Sequence, residues 1–180
     1  MKDGIRILGV DDSAFNSEDD TAIITGVVYR GTEFIEEIVF SEVKVDGEDA
    51  TQQTIDLFDK TSNHDQIKVL MVDGLAYAGF NIIDIGKVAD KIGKPVVAVT
   101  TNRPDREKFL KSLDEFGGRE KVDYLDEYSE VDLPDGPAFF QVEGADEETA
   151  EKFIRKSVIY GRTPEPIRVA HLIGSSMPKL

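Results

Sequence analysis

KVLMVDGLAYAGFNIIDIGKVADKIGKPVVAVTTNR, residues 68–103, decides the fold. Val69, Leu70, Met71 and Val72 form an apolar run without alternation, the mark of a strand covered on both faces, and it stops at Asp73-Gly74. A glycine-containing loop through Gly79 then leads into Ile82, Ile85, Val88, Ala89 and Ile92 at helical spacing. Gly93-Lys94-Pro95 ends that helix, and Val96–Val99 predicts a second buried strand. The unit is βαβ, right-handed by the general rule, and Asp73 stands at a strand's carboxyl end, where open α/β sheets place their sites.

Working outward, Ile5–Val10 reads as a first strand running into Asp11-Asp12-Ser13. Period two puts Ile5, Ile7, Gly9 and Asp11 on one face and Arg6, Leu8, Val10 and Asp12 on the other. Thr21–Arg30 and Phe34–Val45 are β-branched strands separated by Gly31-Thr32 and closed by Asp46-Gly47, so the chain opens with an antiparallel meander. Glu48–Lys60 carries a helical stripe of Thr54, Ile55, Leu57 and Phe58. An acid in its first turn, Glu48 or Asp49, is what the helix dipole favours on its own account. After the βαβ unit the pattern predicts a helix over 105–116, an acidic surface excursion over 119–135, a strand at Ala138–Val142, a helix at Asp146–Tyr160, and a tail helix from Pro164 to Ile173 with Ile167, Ala170 and His171 on one face. The order predicts an α/β fold with a mixed five-stranded sheet, meander first and parallel strands after, flanked by helices as in ribonuclease H. A flavodoxin-like sheet without the meander is the alternative pattern.

The 180 residues, 40% of them hydrophobic, suffice for one sizeable core, so the expectation is a single domain over 1–180. With no cysteine, thiol catalysis, zinc–thiolate sites and disulfides are excluded, and the expected location is the cytoplasm. No stretch reaches the roughly 18 apolar residues of a membrane helix, and the amino terminus turns acidic too early for a signal peptide. A net charge of -15 makes a solvated acidic shell that repels a nucleic-acid duplex at long range.

Three acids fall at corresponding points: Asp11 ends the first strand, Asp49 opens the first helix and Asp73 ends the fourth strand. If the first and fourth strands are neighbours, Asp11 and Asp73 lie side by side. Their repulsion invites Mg²⁺ or Mn²⁺, hard cations that take oxygen ligands and keep waters for a phosphate to displace. Such a metal activates water and stabilises a leaving oxygen. A strand-ending Asp-Gly is also a common turn, and spacing alone leaves both readings open. His64 sits in a polar loop as a solvated residue, whereas His171 gains a role only if its helix lies against the acids. No phosphate loop, dinucleotide fingerprint or serine-hydrolase elbow is present.

GVDDS at 9–13, the stretch from Val72 to Val99 and RTPEPIRVAHLI at 162–173 resemble endonuclease V and, more closely, a mainly archaeal family of unknown function numbered ninety-nine. That resemblance covers most of the chain. It implies a ribonuclease H-like fold and Mg²⁺-dependent cleavage of nucleic acid near a deaminated purine. It matches Asp11 and Asp73 to metal-binding aspartates and His171 to a tail histidine beside the active site, and it sets Asp49 where the family has a helix-opening glutamate, with Glu48 one residue away. The departures are as specific. The base-stack wedge gives way to VKVDGE at 43–48, without aromatic residue or proline, and Thr100-Thr101 stand where the family carries a lysine, leaving Arg103 or Lys94 as substitutes. The expected function is a divalent-metal-dependent phosphodiester hydrolase on single-stranded or damaged nucleic acid, with Asp11, Asp49 and Asp73 as metal ligands and His171 assisting. The alternatives are a non-catalytic module binding nucleic acid or protein on the same fold, and a small-nucleotide phosphohydrolase.

Overall fold

The computed structural model describes residues 4–16, 18–103, 105, 107, 111 and 128–177. Strands β1 (Arg6–Asp12), β2 (Thr21–Arg30) and β3 (Phe34–Lys44) form the opening meander, and helix α1 (Ala50–Asp59) follows. The βαβ unit is β4 (Ile67–Asp73), α2 (Ile85–Ile92) and β7 (Val96–Thr100). Its loop carries a small hairpin, β5 (Ala76–Tyr77) with β6 (Asn81–Ile82), where a plain loop was expected. Then come β8 (Ser129–Leu133), β9 (Gly136–Glu143), α3 (Glu147–Ser157) and α4 (Glu165–Ser176).

The mixed sheet predicted from the pattern is present, with seven strands instead of five, in the order β3-β2-β1-β4-β7-β9-β8. β1, β4 and β7 run parallel; β9 joins β7 antiparallel and carries β8 at the edge. β8 corrects part of the expected surface excursion over 119–135. Val131 and Leu133 are buried while Glu130 and Asp132 face outward, so acidic alternation disguised a half-buried strand, and Pro134-Asp135-Gly136 is its hairpin turn. The helix expected over 105–116, and the excursion up to 127, lie almost wholly outside the described residues.

Alternation along the central strands sorts side chains onto two cores. Leu8 and Val10 of β1, with Leu70 and Val72 of β4, pack against Leu57 of α1 and Val88 of α2. Ile7, Val69, Met71 and Val97 face the other way, onto Phe153 and Ile154 of α3 and Ile167 of α4. Helix α4 crosses β1 so closely that a Cβ on Gly9 would overlap the backbone of Pro166 and Ile167. Glycine at this position is therefore a packing requirement, and it sets how near the tail helix comes to the carboxyl end of β1. Among the described residues, no helix is long and apolar enough to cross a membrane.

Candidate active site

The register pairs Val10 of β1 with Val72 of β4, so Asp11 and Asp73 are the next residues along two adjacent parallel strands. Both continue the face that carries Ile7 and Met71, which is the face covered by α4. The Asp-Gly turn is real as well: Gly74 has φ +72°, and its N–H donates to the Val99 carbonyl at 2.9 Å, which ends β4 beside β7. The turn and the site are thus the same feature.

Asp11 is buried, and its Oδ2 lies 2.7 Å from Nδ1 of His171. The side chain of His171 is 62% exposed, so it reaches down to Asp11 while its other edge meets solvent. With Nδ1 carrying the proton toward the carboxylate, Nε2 is the nitrogen left to face outward. Burial is the main cause that pushes the Asp11 carboxyl up to about 7, reinforced by the charges of Asp73 and Asp12 and opposed by the bond to His171. Asp73 reaches the surface, yet desolvation of its carboxyl among the strand ends is the main cause that raises it too; His171 pulls it back and Asp12 pushes it up. Asp12 points to the opposite face, where its Oδ2 accepts the Ala78 N–H at 2.7 Å; desolvation raises it and that N–H bond lowers it.

Asp49 is placed differently. It stands immediately before α1, but its side chain makes no cap bond to the helix. The cap is supplied from elsewhere, by fully buried Asn81, whose Oδ1 accepts the Ala50 N–H at 2.8 Å. Asp49 Oδ1 instead accepts from Lys44 N at 3.1 Å and from Asn81 Nδ2 at 2.6 Å, which leaves Oδ2 without a hydrogen bond among the described residues. The structure therefore brings Asp11, Asp73 and His171 together and leaves Asp49 in the neighbouring loop. Glu48, one residue earlier, is exposed. Among the described residues no three acidic or histidine side chains already converge as a ligand cage. A Mg²⁺ site does not demand one, because this cation is commonly held through one or two carboxylates and keeps several waters. Two carboxylates raised by burial and by their neighbours' negative charge are a donor set that a hard divalent cation fits.

The segment at 43–48 is tied to the β5–β6 hairpin. Asp46 N donates to Ala78 O at 2.9 Å, Phe80 N donates to Asp46 Oδ1 at 2.9 Å, and Asn81 Nδ2 donates to Lys44 O at 2.9 Å. Both Asp46 and Ala78 have positive φ, so this clamp holds two non-glycine residues in a region they seldom adopt. The two cations named as substitutes for the missing lysine lie at opposite ends of β7. Lys94 donates to Asp65 O at 3.0 Å, before β7 begins, and the Arg103 guanidinium lies over the Phe139 ring, 5.9 Å from its centroid. Sequence reasoning passed over Arg162. Its Nη1 donates to Thr101 O at 2.8 Å and to Pro137 O at 3.0 Å, so it sits beyond the end of β7, at the sheet end that carries the acids. Arg162 opens the tail stretch 162–173, but nothing in that stretch by itself marks its side chain, whose partners lie in two other parts of the chain.

The chain is similar along its whole described length to known proteins. The UPF0215 protein of Methanosarcina barkeri is 37% identical over 181 residues, covering 98% of this chain and 92% of the relative. The crystal structure of a protein of unknown function from Archaeoglobus fulgidus superposes with a TM-score of 0.83 at 31% identity, over 94% of this chain and 95% of that one. Ciona intestinalis endonuclease V, solved in complex with a 24mer DNA containing an inosine, superposes with a TM-score of 0.63 at 16% identity, over 93% of this chain and 83% of that one; it speaks for the fold alone. The model of the family described as Endonuclease dU matches residues 3–177. By that match the chain belongs to the Endonuclease dU family, and its mixed sheet is that of endonuclease V, as the segments at 9–13, 72–99 and 162–173 led one to expect.

Proposed function

We propose that the chain, acting as a single domain, is a divalent-metal-dependent phosphodiester hydrolase that cuts nucleic acid at a deaminated base. The observation that carries this reading is the pair Asp11 and Asp73 at the ends of adjacent parallel strands, with His171 bonded to Asp11. The family description directs attention to deoxyuridine as the deaminated base. Asp11 and Asp73 would hold Mg²⁺ or Mn²⁺, with Asp49 as a candidate third acid. When bound, such an ion lowers the pKa of water and stabilises negative charge on a leaving oxygen.

The chain's own groups account for the rest. Asp11 fixes the His171 ring through Nδ1, so that Nε2 is held at the solvent edge, where a proton is taken from water or handed to a departing oxygen. Asp12 holds the Ala78 N–H and so keeps the β5–β6 hairpin beside the acids. VKVDGE at 43–48 contributes no aromatic wedge, and its clamp to the hairpin keeps it from moving into a base stack. That favours substrates whose base is already unstacked, as in single strands.

The test is a panel of single-stranded and duplex DNA and RNA, each unmodified, with one deoxyuridine (uridine in RNA) or with one inosine, incubated with Mg²⁺ or Mn²⁺ beside an Asp73→Asn control. Metal-dependent cleavage at the deaminated base, absent from the control, is the expected result; no cleavage of any substrate overturns the reading. One observation favours the second reading, a non-catalytic binding module: VKVDGE at 43–48 carries no wedge, and Thr100-Thr101 stand where the resembled family has its lysine. Oligonucleotide binding without cleavage in the same panel would establish it.

A further inference from the structure

The loop between α3 and α4 presents two side chains that nothing in the fold requires. Tyr160 is 83% exposed, the most exposed of the large hydrophobic side chains among the described residues, and Ile159 beside it is 53% exposed. Two residues on, Arg162 is anchored. Both protons of its Nη1 point to carbonyls, those of Thr101 and Pro137, and its Cδ stacks against Gly136, where a Cβ would come within 3.4 Å. The loop is seated on the β8–β9 turn by the Gly161 N–H, which donates to Asp135 Oδ2 at 3.0 Å, and Gly161 takes the positive φ of 72° that this geometry needs.

A guanidinium has five N–H donors, and two are occupied here. The Nε–Nη2 edge, the fork that matches a phosphate in two parallel bonds, has no partner among the described residues. In a chain with 36 acidic and 21 basic side chains, an anchored arginine whose hydrogen-bond partners among the described residues are only neutral carbonyls is unusual. Its position is specific as well. Val99 pairs with both Asp73 and Phe140, and Pro137 lies three residues beyond Phe140 on β9, so the anchor stands about 10 Å past the row of Asp73 along the strands and two strands, again about 10 Å, to its side. That is a spacing on the order of one or two nucleotides, on the side of the sheet where the lysine of the family's relatives is missing.

We propose that this loop is the docking step for a single strand next to the cutting site: Arg162 takes a backbone phosphate through its Nε–Nη2 edge, and the Tyr160 ring stacks on a neighbouring base. The inference rests on the function proposed above and adds where the strand lies. An acidic protein gains little from its overall field when it meets nucleic acid, so local anchored cations and stacking surfaces have to supply the attraction.

The experiment measures binding of a short single-stranded oligothymidylate carrying one deoxyuridine, by fluorescence anisotropy across a salt series, with Ca²⁺ replacing Mg²⁺ to hold off cleavage. Tyr160→Ala is expected to weaken binding roughly tenfold with the salt slope unchanged, because stacking carries no counterion release. Arg162→Gln is expected to weaken binding and to flatten the slope of log K against log salt by about 0.7, one phosphate contact to a single strand. Arg162→Lys keeps the charge and is expected to retain the slope. Thermal melts accompany each variant. If Arg162→Gln lowers the melting temperature while the slope stays put, Arg162 is only a strut between β7 and β9, and the proposal falls. If the wild type binds and both Tyr160→Ala and Arg162→Gln match it in affinity and slope, this inference falls alone. A wild type that does not bind this oligonucleotide yet cuts a substrate of the panel above overturns this inference alone; one that neither binds it nor cuts any of them removes the proposed function as well.

Discussion

The two faces of the sheet treat their carboxylates in opposite ways at the same end. On the face covered by α1, Asp12 accepts the Ala78 N–H, Asp46 accepts the Phe80 N–H, and Asp49 accepts from Lys44 N and Asn81 Nδ2. Each of these acids has a structural partner. On the face covered by α4, Asp11 is buried beside the charge of Asp73, answered by the half-exposed His171 and by the Asp12 N–H. Carboxylates with N–H partners build loops; carboxylates that repel one another in a desolvated edge store unfavourable energy until a cation or a proton relieves it. The difference separates acids that fold the protein from acids available for chemistry, which charge counting along the sequence does not do.

The largest expected effect breaks the comparison on the α4 side. Asp73→Asn keeps the shape of the strand end and removes half of the donor pair, so metal-dependent cleavage is expected to fall on the order of 10³-fold or more, with little change in oligonucleotide affinity. Rate and binding measured on the same preparation check it. The second effect is on stability. The Asp11 carboxyl lies at about 7 in the folded chain against 3.8 unfolded, so between those values the folded state holds a proton that the unfolded state has lost. Stability of the metal-free protein therefore declines as pH rises from about 4 to about 7 and levels off above, by up to about 4 kcal/mol from this group. Asp12 and Asp73 are raised as well and act with the same sign. Urea melts in chelator at pH 5 and pH 8 measure the decline; Asp11→Asn removes most of it, and added Mg²⁺ at pH 8 restores stability to the wild type but not to that variant.

The α1 side is expected to fail by a different route. Asn81 is fully buried and serves three partners at once: the Ala50 N–H, the Lys44 carbonyl and Asp49. Asn81→Ala strands all three and is expected to cost about 2–3 kcal/mol, read as a lower urea midpoint.

How much of this was legible follows from which forces leave a trace in sequence. The apolar runs at 69–72 and 96–99 and the β-branched strands of the meander wrote the sheet plainly, because covered strands exclude polar residues. β8 was missed because its outward residues are acidic and its apolar ones number only two, Val131 and Leu133. The nearness of Asp11 to Asp73 was readable from strand order, and the reach of His171 to Asp11 was not: it depends on α4 settling over Gly9, a contact between residues 157 apart in the chain, by the difference of 166 and 9. Helix capping was the plain account of Asp49, and the cap turned out to come from Asn81, which lies in a hairpin that short-range pattern did not disclose. Arg162 carried no local signal of its own; its meaning comes from the Thr101 and Pro137 carbonyls that three separate stretches bring together.

The smallest expected effect sharpens the comparison most. Asp46 is exposed, sits at φ 50° and uses one oxygen to accept the Phe80 N–H. Asparagine offers the same acceptor and tolerates the left-handed region as well as aspartate does, so Asp46→Asn is expected to shift stability by less than about 0.5 kcal/mol and to leave cleavage unchanged. Asp46→Ala loses both the acceptor and that tolerance, and about 1–2 kcal/mol is expected to go with them. The same Asp→Asn exchange is thus near-silent on the face where carboxylates meet N–H groups and disabling on the face where they meet each other. Should Asp46→Asn abolish cleavage while the protein stays folded, charge on the α1 side belongs to the chemistry after all, and the division between the two faces is wrong.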